Sequence, residues 1–423
     1  MFVKLSKIDT GKKYLIVATL FISVAILLSF KFYGYENTWH LWNIETLMPP
    51  FSDLRLIPGS AETFQRGIDP AVRNPGDPYK RIFNYPRIWY LFFYTGISQD
   101  DVIGYGIFLL FLAYLGMISF PKKLNKQGVF LMVMVVFSPA AMLLYERGNV
   151  DLIIFFICAL ALVFLDISAF VTAGVLLFGA LLKVFPLFGL VIFLQKGWKT
   201  FWRSAFFVIF GFLIYFSLTF SSMATAWEST MRGIRLSYGA NVVFARYQKM
   251  IVAFLENGNL YPEFEKVLNL LPYLLGIFIV LIVVLKSMRD NPVFSTPNEK
   301  NLAAFQMGAF IYIGTFLLGN NWDYRLIFLV FTLPQLADWL CSSKGREYFV
   351  VLSTILLIII STWHFWIVEW FSWIFANPDV GTLFDEAVNW LLFGILTYIG
   401  YASFPSWFKD FFRELKILKW VTE

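Results

Sequence analysis

Apolar runs of the length that a helix needs to cross a lipid bilayer recur along the whole sequence. A spanning helix takes about 20 apolar residues, and runs of this kind start near residue 14 and continue to residue 401. Charged residues make up 15% of the 423 residues, against roughly 25% in soluble domains. A soluble domain of this size needs a more highly charged surface. The sequence therefore predicts an all-α polytopic membrane protein.

The apolar runs predict about 12 transmembrane helices with cytoplasmic N- and C-termini. Lys and Arg are enriched in short cytoplasmic loops, which places the lysine-rich start and Pro121–Lys126 inside. Residues 169–194 are interpreted as two short spans that meet at Lys183–Pro186, because a single span would invert every later loop. The first run is too long for a cleavable signal and is predicted to be a signal anchor. Besides these two short spans within 169–194, the predicted spans lie near residues 14–30, 102–120, 128–144, 152–165, 204–220, 268–285, 302–318, 326–340, 349–365 and 387–401.

Two long polar loops divide the predicted protein into two modules. Residues 1–220 form a transmembrane module that contains an outer loop at 32–100, and residues 221–423 form a second module with an outer loop at 221–266. Tyr85–Ile97 is apolar but short and is predicted to be an interfacial or re-entrant helix. At 404–423, Trp, Phe, Leu and Ile alternate with Lys and Arg, which predicts an amphipathic tail on the cytoplasmic face.

The basic charge of the chain does not indicate nucleic-acid binding. The net charge is +6, but most Lys and Arg lie in short loops between apolar runs, where membrane topology explains them. The two cysteines suggest neither a disulfide framework nor a metal site, and with only two histidines no His-ligated zinc centre is expected.

Polar residues collect on one side of the predicted membrane. Pro49–Tyr90 is the longest polar stretch and contains ten charged residues. Ionisable groups at membrane depth are costly and usually face a wet cavity or the protein interior. A cavity lined by cations, with a carboxylate nearby, suits a lipid-linked phosphate. The polar residues next to spans on this side are Asp53, Glu146, Arg147, Asn149, Asp151, Lys183, Asp323 and Arg325, and the second outer loop adds Arg232, Arg235, Asn241 and Arg246.

Structural roles compete with functional ones for each of these residues. Asp53 alone is typical of a turn or helix cap, and Arg147 with Asp151 can form an ion pair between adjacent helices. Asp323 and Arg325 can anchor the start of a span. Lys183 is harder to explain structurally, because a lysine within an apolar hairpin reaches water only in part.

Short motifs in a fixed order resemble one family. They are Asp53-Leu-Arg-Leu-Ile-Pro58, Arg66-Gly-Ile-Asp-Pro70, Asn84-Tyr-Pro-Arg87, Arg147-Gly-Asn149, Leu182-Lys-Val-Phe-Pro186, Tyr238–Arg246 and Trp322-Asp-Tyr-Arg325. Together they resemble the GT-C superfamily of membrane glycosyltransferases, and most closely glycosyltransferase family 87, the bacterial polyprenyl-phosphate-dependent α-mannosyltransferases. Arg87 departs from the second proline of the family's Tyr-Pro-Pro element, and Asp323-Tyr324 departs from its His pair.

The resemblance implies inverting transfer of mannose or a similar hexose from a polyprenyl phosphate to a glycan or glycolipid acceptor. It also implies a plasma (inner) membrane protein with its active site on the outer or periplasmic side. In such families the outer-loop carboxylate, here Asp53, is the general base. The implied lipid-phosphate and substrate-binding residues are Lys183, Arg147, Arg325, Arg246, Asn149, Asn241, Tyr85 and Asp323. No cofactor is expected, and a divalent metal is not required.

Two other classes of protein stay open at this point. A polymerase or ligase that uses a polyprenyl-diphosphate-linked oligosaccharide also has about twelve spans and Arg-rich outer loops, and Arg232 and Arg235 fit that alternative. A secondary transporter commonly shows inverted repeats and broken helices at the membrane midplane. The two halves of this sequence show no such repeat, so this alternative is the weaker one.

Overall fold

A computed structural model describes residues 9–230, 233, 236–247, 262–295 and 298–414. This part of the chain is mostly helical and is organised as two units. The first unit consists of Met1–Val129 and Ala141–Met231, and the second of Phe130–Ala140 and Arg232–Glu423.

The first unit contains the predicted outer loop and the helices that follow it. Its α-helices are α1 (Thr10–Tyr33), α2 (Tyr35–His40), α3 (Leu56–Gln65), α4 (Val102–Ser119), α7 (Asp151–Phe164), α8 (Ala169–Leu182) and α9 (Trp198–Ser229), with 3-10 helices at Arg87–Tyr94, Gln99–Asp101 and Phe185–Lys196. Buried α7 packs against α4 and α8. Large apolar side chains such as Phe21 and Leu218 are exposed on α1 and α9. Helices that are apolar on all sides in this way are typical of membrane spans.

The chain continues between the two units through α5 (Lys126–Val136) and α6 (Pro139–Arg147). A single span was expected here, but the two helices are bent by 52° at a break before Pro139. Proline has no N–H to donate to the preceding turn and its ring clashes with that turn, so it ends or kinks a helix.

Helix α8 ends where the sequence predicts the break between two short spans. Lys183 has an extended backbone, with φ −151° and ψ 140°, and the 3-10 helix that starts at Phe185 has Pro186 in its first turn. The last carbonyl oxygen of α8, on Leu182, accepts a hydrogen bond from the Trp89 indole (3.1 Å). This contact satisfies an acceptor that a helix end leaves unpaired, and it ties the Arg87–Tyr94 segment to the point where Lys183 leaves the helix.

The second unit is built around one buried helix, Glu299–Leu317. Its α-helices are α10 (Pro262–Asp290), α11 (Glu299–Leu317), α12 (Leu333–Ser342), α13 (Gly345–Thr362), α14 (His364–Phe375), α15 (Pro378–Ala402) and α16 (Ser406–Glu414), with a 3-10 helix at Asp323–Thr332. Asn298 caps α11 through its side chain, and α11 packs against the 3-10 helix and α15. An antiparallel pairing of β1 (Ser237–Tyr238) with β2 (Asn321–Trp322) precedes the 3-10 helix.

Seven helices are long and apolar enough to cross a membrane, or eight if α5 and α6 form one broken span, within the described residues. These eight coincide with eight of the twelve predicted spans. The other four predicted spans coincide with α7, α8 and Phe185–Lys196, which have only 10–17 residues, and with α11. The chain is therefore a multi-pass membrane protein, while the count of twelve and the cytoplasmic termini stay predictions.

Two predicted boundaries differ from the structure. The loop expected at 221–266 is shorter, because α9 continues to Ser229 and α10 already begins at Pro262. The interfacial helix expected at Tyr85–Ile97 is a 3-10 helix at Arg87–Tyr94. Of the predicted amphipathic tail, α16 is helical and residues 415–423 lie outside the described residues.

Candidate active site

A backbone hydrogen bond holds Asp53 beside the end of α6. The Asp53 N–H donates to the Arg147 carbonyl oxygen (2.9 Å), so the turn before α3 lies against the turn that follows α6. This contact joins two segments that are 94 residues apart in the sequence. It brings the first outer-loop carboxylate to the Arg147-Gly-Asn149 motif.

Both carboxylate oxygens of Asp53 accept hydrogen bonds. Oδ2 accepts from Asn149 Nδ2 (2.7 Å), and Oδ1 accepts from Arg81 Nη1 (3.3 Å). The Asp53 side chain is nevertheless 22% exposed. Since an ionised carboxylate has about four lone-pair sites, about two remain for a substrate hydroxyl. The Asp53 carboxylate is thus oriented by Asn149 and Arg81 and remains partly accessible.

Asn149 connects Asp53 to a buried ion pair. Its Oδ1 accepts from Lys183 Nζ (3.2 Å) and from the Asp151 backbone N–H (3.0 Å), which directs its Nδ2 to Asp53. Lys183 Nζ forms an ion pair with Asp151 Oδ1 (2.5 Å) and lies 5.6 Å from the centre of the Tyr85 ring. Asp151 is fully buried and the Lys183 side chain is 10% exposed. The predicted residues Asp53, Asn149, Lys183 and Tyr85 therefore form one connected cluster.

Gly148 allows this turn to approach the Asp53 loop closely. Its φ is +59°, and a Cβ atom added to it would lie 2.8 Å from the Phe51 side chain. A non-glycine residue in this conformation costs about 1–2 kcal/mol, and the clash with a packed ring adds to that cost.

We expect Gly148→Ala to lower the melting temperature of the purified protein and to reduce its activity, because the neighbouring Asn149 amide moves with the turn. Gly104→Ala is the matched control, because a Cβ atom there meets nothing within 4 Å. Equal melting temperatures for the two variants would contradict the close packing of Gly148 against Phe51.

Arg147 and Asp151 are not paired with each other, contrary to the structural alternative raised by the sequence. Arg147 Nη1 pairs with Glu146 Oε2 (2.5 Å), and Arg147 Nη2 donates to the Glu45 carbonyl oxygen (3.2 Å). Asp151 pairs with Lys183 instead. The partner of Arg147 is therefore its neighbour Glu146 and not a residue of α7. Through the Glu45 carbonyl, Arg147 also holds the segment in front of the Asp53 loop.

Arg81 and Asp77 complete the cluster on the loop side. Asp77 is buried and binds Arg81 through both oxygens, to Nε (3.0 Å) and to Nη2 (2.9 Å). Burial alone would lower the pKa of the Arg81 guanidinium, but the hydrogen bonds and charge of Asp77, together with the charge of Asp53, raise it above its ordinary value. Arg81 therefore stays charged next to Asp53.

The other predicted site residues lie in the second unit, where each of three has an identified partner. Arg325 Nη1 donates to Asn321 Oδ1, and Arg246 Nη2 pairs with Asp379 Oδ1 (2.8 Å). Buried Asp323 lies 3.1 Å from His364 Nε2. Asn241 precedes a helical stretch at 242–247 that carries Arg246, and Arg232 and Arg235 lie outside the described residues.

Sequence reasoning missed several functional candidates. In the sequence, Arg81 and Asp77 are only two of the ten charged residues of Pro49–Tyr90. Their spacing of four residues was a usable signal for a local ion pair. His364, one of two histidines in the chain, gives no local signal for its position beside Asp323. In the described part of the chain, no group of three or more His, Cys, Asp or Glu side chains is arranged to hold a metal ion.

The cluster offers the chemistry of a positioned proton acceptor beside a buried cation. Asp53 accepts two hydrogen bonds and is partly exposed. Asn149 links it to Lys183, because the Asn149 amide donates to Asp53 and accepts from Lys183. A carboxylate held in this way can take a proton from a hydroxyl group. An ammonium or guanidinium group can stabilise an anionic leaving group.

Comparison with known proteins identifies the class of protein that carries this cluster. The model of glycosyltransferase family 87 matches residues 102–318, just over half of the chain, and the chain belongs to this family. The protein is accordingly a multi-pass membrane glycosyltransferase of the GT-C type, as the ordered motifs predicted. The match includes Arg147, Asn149 and Lys183, but it begins after Asp53 and Arg81.

One solved structure is similar over much of the chain. ArnT from Cupriavidus metallidurans in the apo state is 12% identical, with 91% of this chain and 75% of that chain covered and a TM-score of 0.34. A similarity at this level supports no inference about the site. No curated protein matches the sequence.

Proposed function

We propose that this protein transfers a sugar, mannose or a similar hexose, from a polyprenyl phosphate to a glycan or glycolipid acceptor, with inversion at the anomeric carbon. The observation that carries the proposal is the geometry of Asp53, whose two oxygens are held by Asn149 and Arg81 while its side chain is 22% exposed. A pre-oriented carboxylate with accessible lone pairs is what a general base for a hydroxyl nucleophile requires.

The proposed step forms one bond and breaks one. The acceptor oxygen forms a bond to the anomeric carbon, and its proton passes to Asp53. The bond between the anomeric carbon and the phosphate oxygen breaks, and the polyprenyl phosphate leaves with the bonding electron pair. Cations must already be in place to stabilise this anion. Lys183 and Arg147 of the first unit are proposed for this role. Arg325 and Arg246, which the resemblance also implies as phosphate-binding residues, belong to the second unit.

The remaining predicted residues are proposed to bind the substrates. Asn149 and Tyr85 lie beside Asp53 and Lys183 in the cluster of the first unit, and Asn241 and Asp323 belong to the second unit. A polyprenyl monophosphate carries a sugar already activated by its phosphate, so the step needs no nucleotide and no resident cofactor. The chemistry written above also balances without a metal ion.

The proposed orientation follows the distribution of basic residues. Enrichment of Lys and Arg in short cytoplasmic loops places both termini in the cytoplasm, with the twelve predicted spans between them. The Asp53 loop then lies on the outer, periplasmic side of the plasma (inner) membrane, where a polyprenyl-linked donor and a cell-envelope acceptor meet.

Reconstituted protein tests the donor class directly. Proteoliposomes receive either a labelled polyprenyl monophosphate mannose or a labelled polyprenyl diphosphate oligosaccharide, with total membrane lipid extract as acceptor. We expect label to move to the acceptor only from the monophosphate. Transfer from the diphosphate alone would favour the polymerase or ligase class, and solute uptake without any transfer would favour a transporter.

A further inference from the structure

Four of the five N–H donors of the Arg81 guanidinium are used within the loop that carries Asp53. Nε and Nη2 bind the two oxygens of Asp77, and Nη2 also donates to the Ser52 carbonyl oxygen (2.5 Å). Nη1 donates to Asp53 Oδ1 (3.3 Å). Because the guanidinium is planar and rigid, these contacts fix the Asp53 side chain and the backbone in front of it together.

Asp77 and the loop around it form a rigid base for Arg81. Besides the guanidinium, Asp77 Oδ2 accepts the backbone N–H of Arg81 (2.9 Å), so side chain and main chain are held by one buried carboxylate. The loop is fastened to α3 through Asn74, whose Nδ2 donates to Ser60 Oγ (2.9 Å) and whose Oδ1 accepts from Thr63 Oγ1 (2.7 Å). The position of Arg81 is therefore set by a buried carboxylate on a loop that buried hydrogen bonds fasten to α3.

We propose that Arg81 is a positioning residue for sugar transfer, which rests on the proposed role of Asp53 as general base. Arg81 Nη1 holds Oδ1 of Asp53, while Asn149 holds Oδ2. It does not clamp the donor phosphate, because bidentate binding of a phosphate needs parallel N–H groups and those of Arg81 face Asp77.

A purely structural role for Arg81 predicts a different response to substitution. If Arg81 only fastened the loop, its loss would lower the amount of folded enzyme without changing the turnover of each folded molecule. A positioning role predicts the opposite, namely folded enzyme with a lower kcat and an unchanged KM for the donor, because the defect affects the proton transfer and not binding.

The test compares Arg81→Lys and Arg81→Ala with the control Arg73→Ala, an exposed arginine of the same loop. Each full-length variant is purified, its melting temperature is measured, and it is assayed with labelled polyprenyl monophosphate mannose. Lysine keeps the charge but lacks the planar fork, and a displacement of about 1 Å can cost about 100-fold in rate. We expect kcat of Arg81→Lys to fall about tenfold to a hundredfold, with an unchanged KM for the donor.

Added guanidinium ion gives a second readout that a structural role does not affect. At non-denaturing concentrations it should restore part of the activity of Arg81→Ala, and it should leave wild type and Arg73→Ala unchanged. Wild-type kcat in Arg81→Lys would overturn the assignment, as would a loss in Arg81→Ala that follows the folded fraction and does not respond to guanidinium. Absence of wild-type turnover would instead overturn the proposed function, and the assignment with it. If Arg81→Ala does not fold, Arg81→Lys decides the result.

Discussion

Asp53→Asn is expected to reduce kcat by about 10²–10⁴-fold, the usual contribution of a general base. Asparagine has the same shape, and its single side-chain oxygen can still accept a hydrogen bond from Asn149 or from Arg81. It cannot accept a proton from the acceptor hydroxyl. The loss should therefore appear in kcat with saturating donor, measured with labelled polyprenyl monophosphate mannose and purified enzyme.

The fold should tolerate Asp53→Asn better than the reaction does. In the variant, either Asn149 or Arg81 faces the new NH₂ group and loses its hydrogen bond to residue 53. A hydrogen bond to a charged group contributes about 1.5–3 kcal/mol. Asp100→Asn, an exposed carboxylate in the same outer loop, is the control and should keep wild-type kcat. Full activity of Asp53→Asn would end the assignment of Asp53 as base.

The sequence could predict the parts of the site that depend on spacing within helices and on membrane polarity. The break after α8 was predictable because Pro186 cannot continue a helix, and a lysine at that break stands out in an apolar run. Asp53, Asn149 and Lys183 could be grouped because topology placed all three on one side. The structure adds the contacts, with Asn149 between the base and the cation.

The parts that could not be predicted depend on loop conformation and on the choice between equivalent partners. Arg81 is one of ten charges in Pro49–Tyr90, and nothing in the sequence indicates that a turn directs it to Asp53. Arg147 has two carboxylates nearby in the sequence, and in the fold it pairs with Glu146 while Asp151 pairs with Lys183. The 52° bend between α5 and α6 is a further example, because the sequence alone does not show whether a proline inside an apolar run breaks the span.

Lys183→Ala is expected to have the second large effect, and its origin must be separated into folding and donor binding. Asp151 is fully buried and paired with Lys183. Breaking a buried ion pair by removing one partner costs about 3–5 kcal/mol, because the other charge stays in a poorly solvated place. The single variant should therefore lose much of its thermal stability in detergent, and its loss of activity alone does not identify a phosphate-binding role.

The double variant Lys183→Met with Asp151→Asn separates the two effects. The double variant leaves no unpaired buried charge, so the melting temperature should recover much of what Lys183→Ala loses. The positive charge proposed to stabilise the leaving phosphate stays absent. We expect kcat/KM for the polyprenyl phosphate donor to remain at least about tenfold lower, since a charged hydrogen bond contributes roughly 1.5–3 kcal/mol.

Asp151→Asn alone is the control, because it keeps the Lys183 charge. If the double variant regains wild-type kcat/KM along with its stability, Lys183 is a structural residue whose role is to neutralise Asp151 and orient Asn149, and the donor phosphate must be held by other cations.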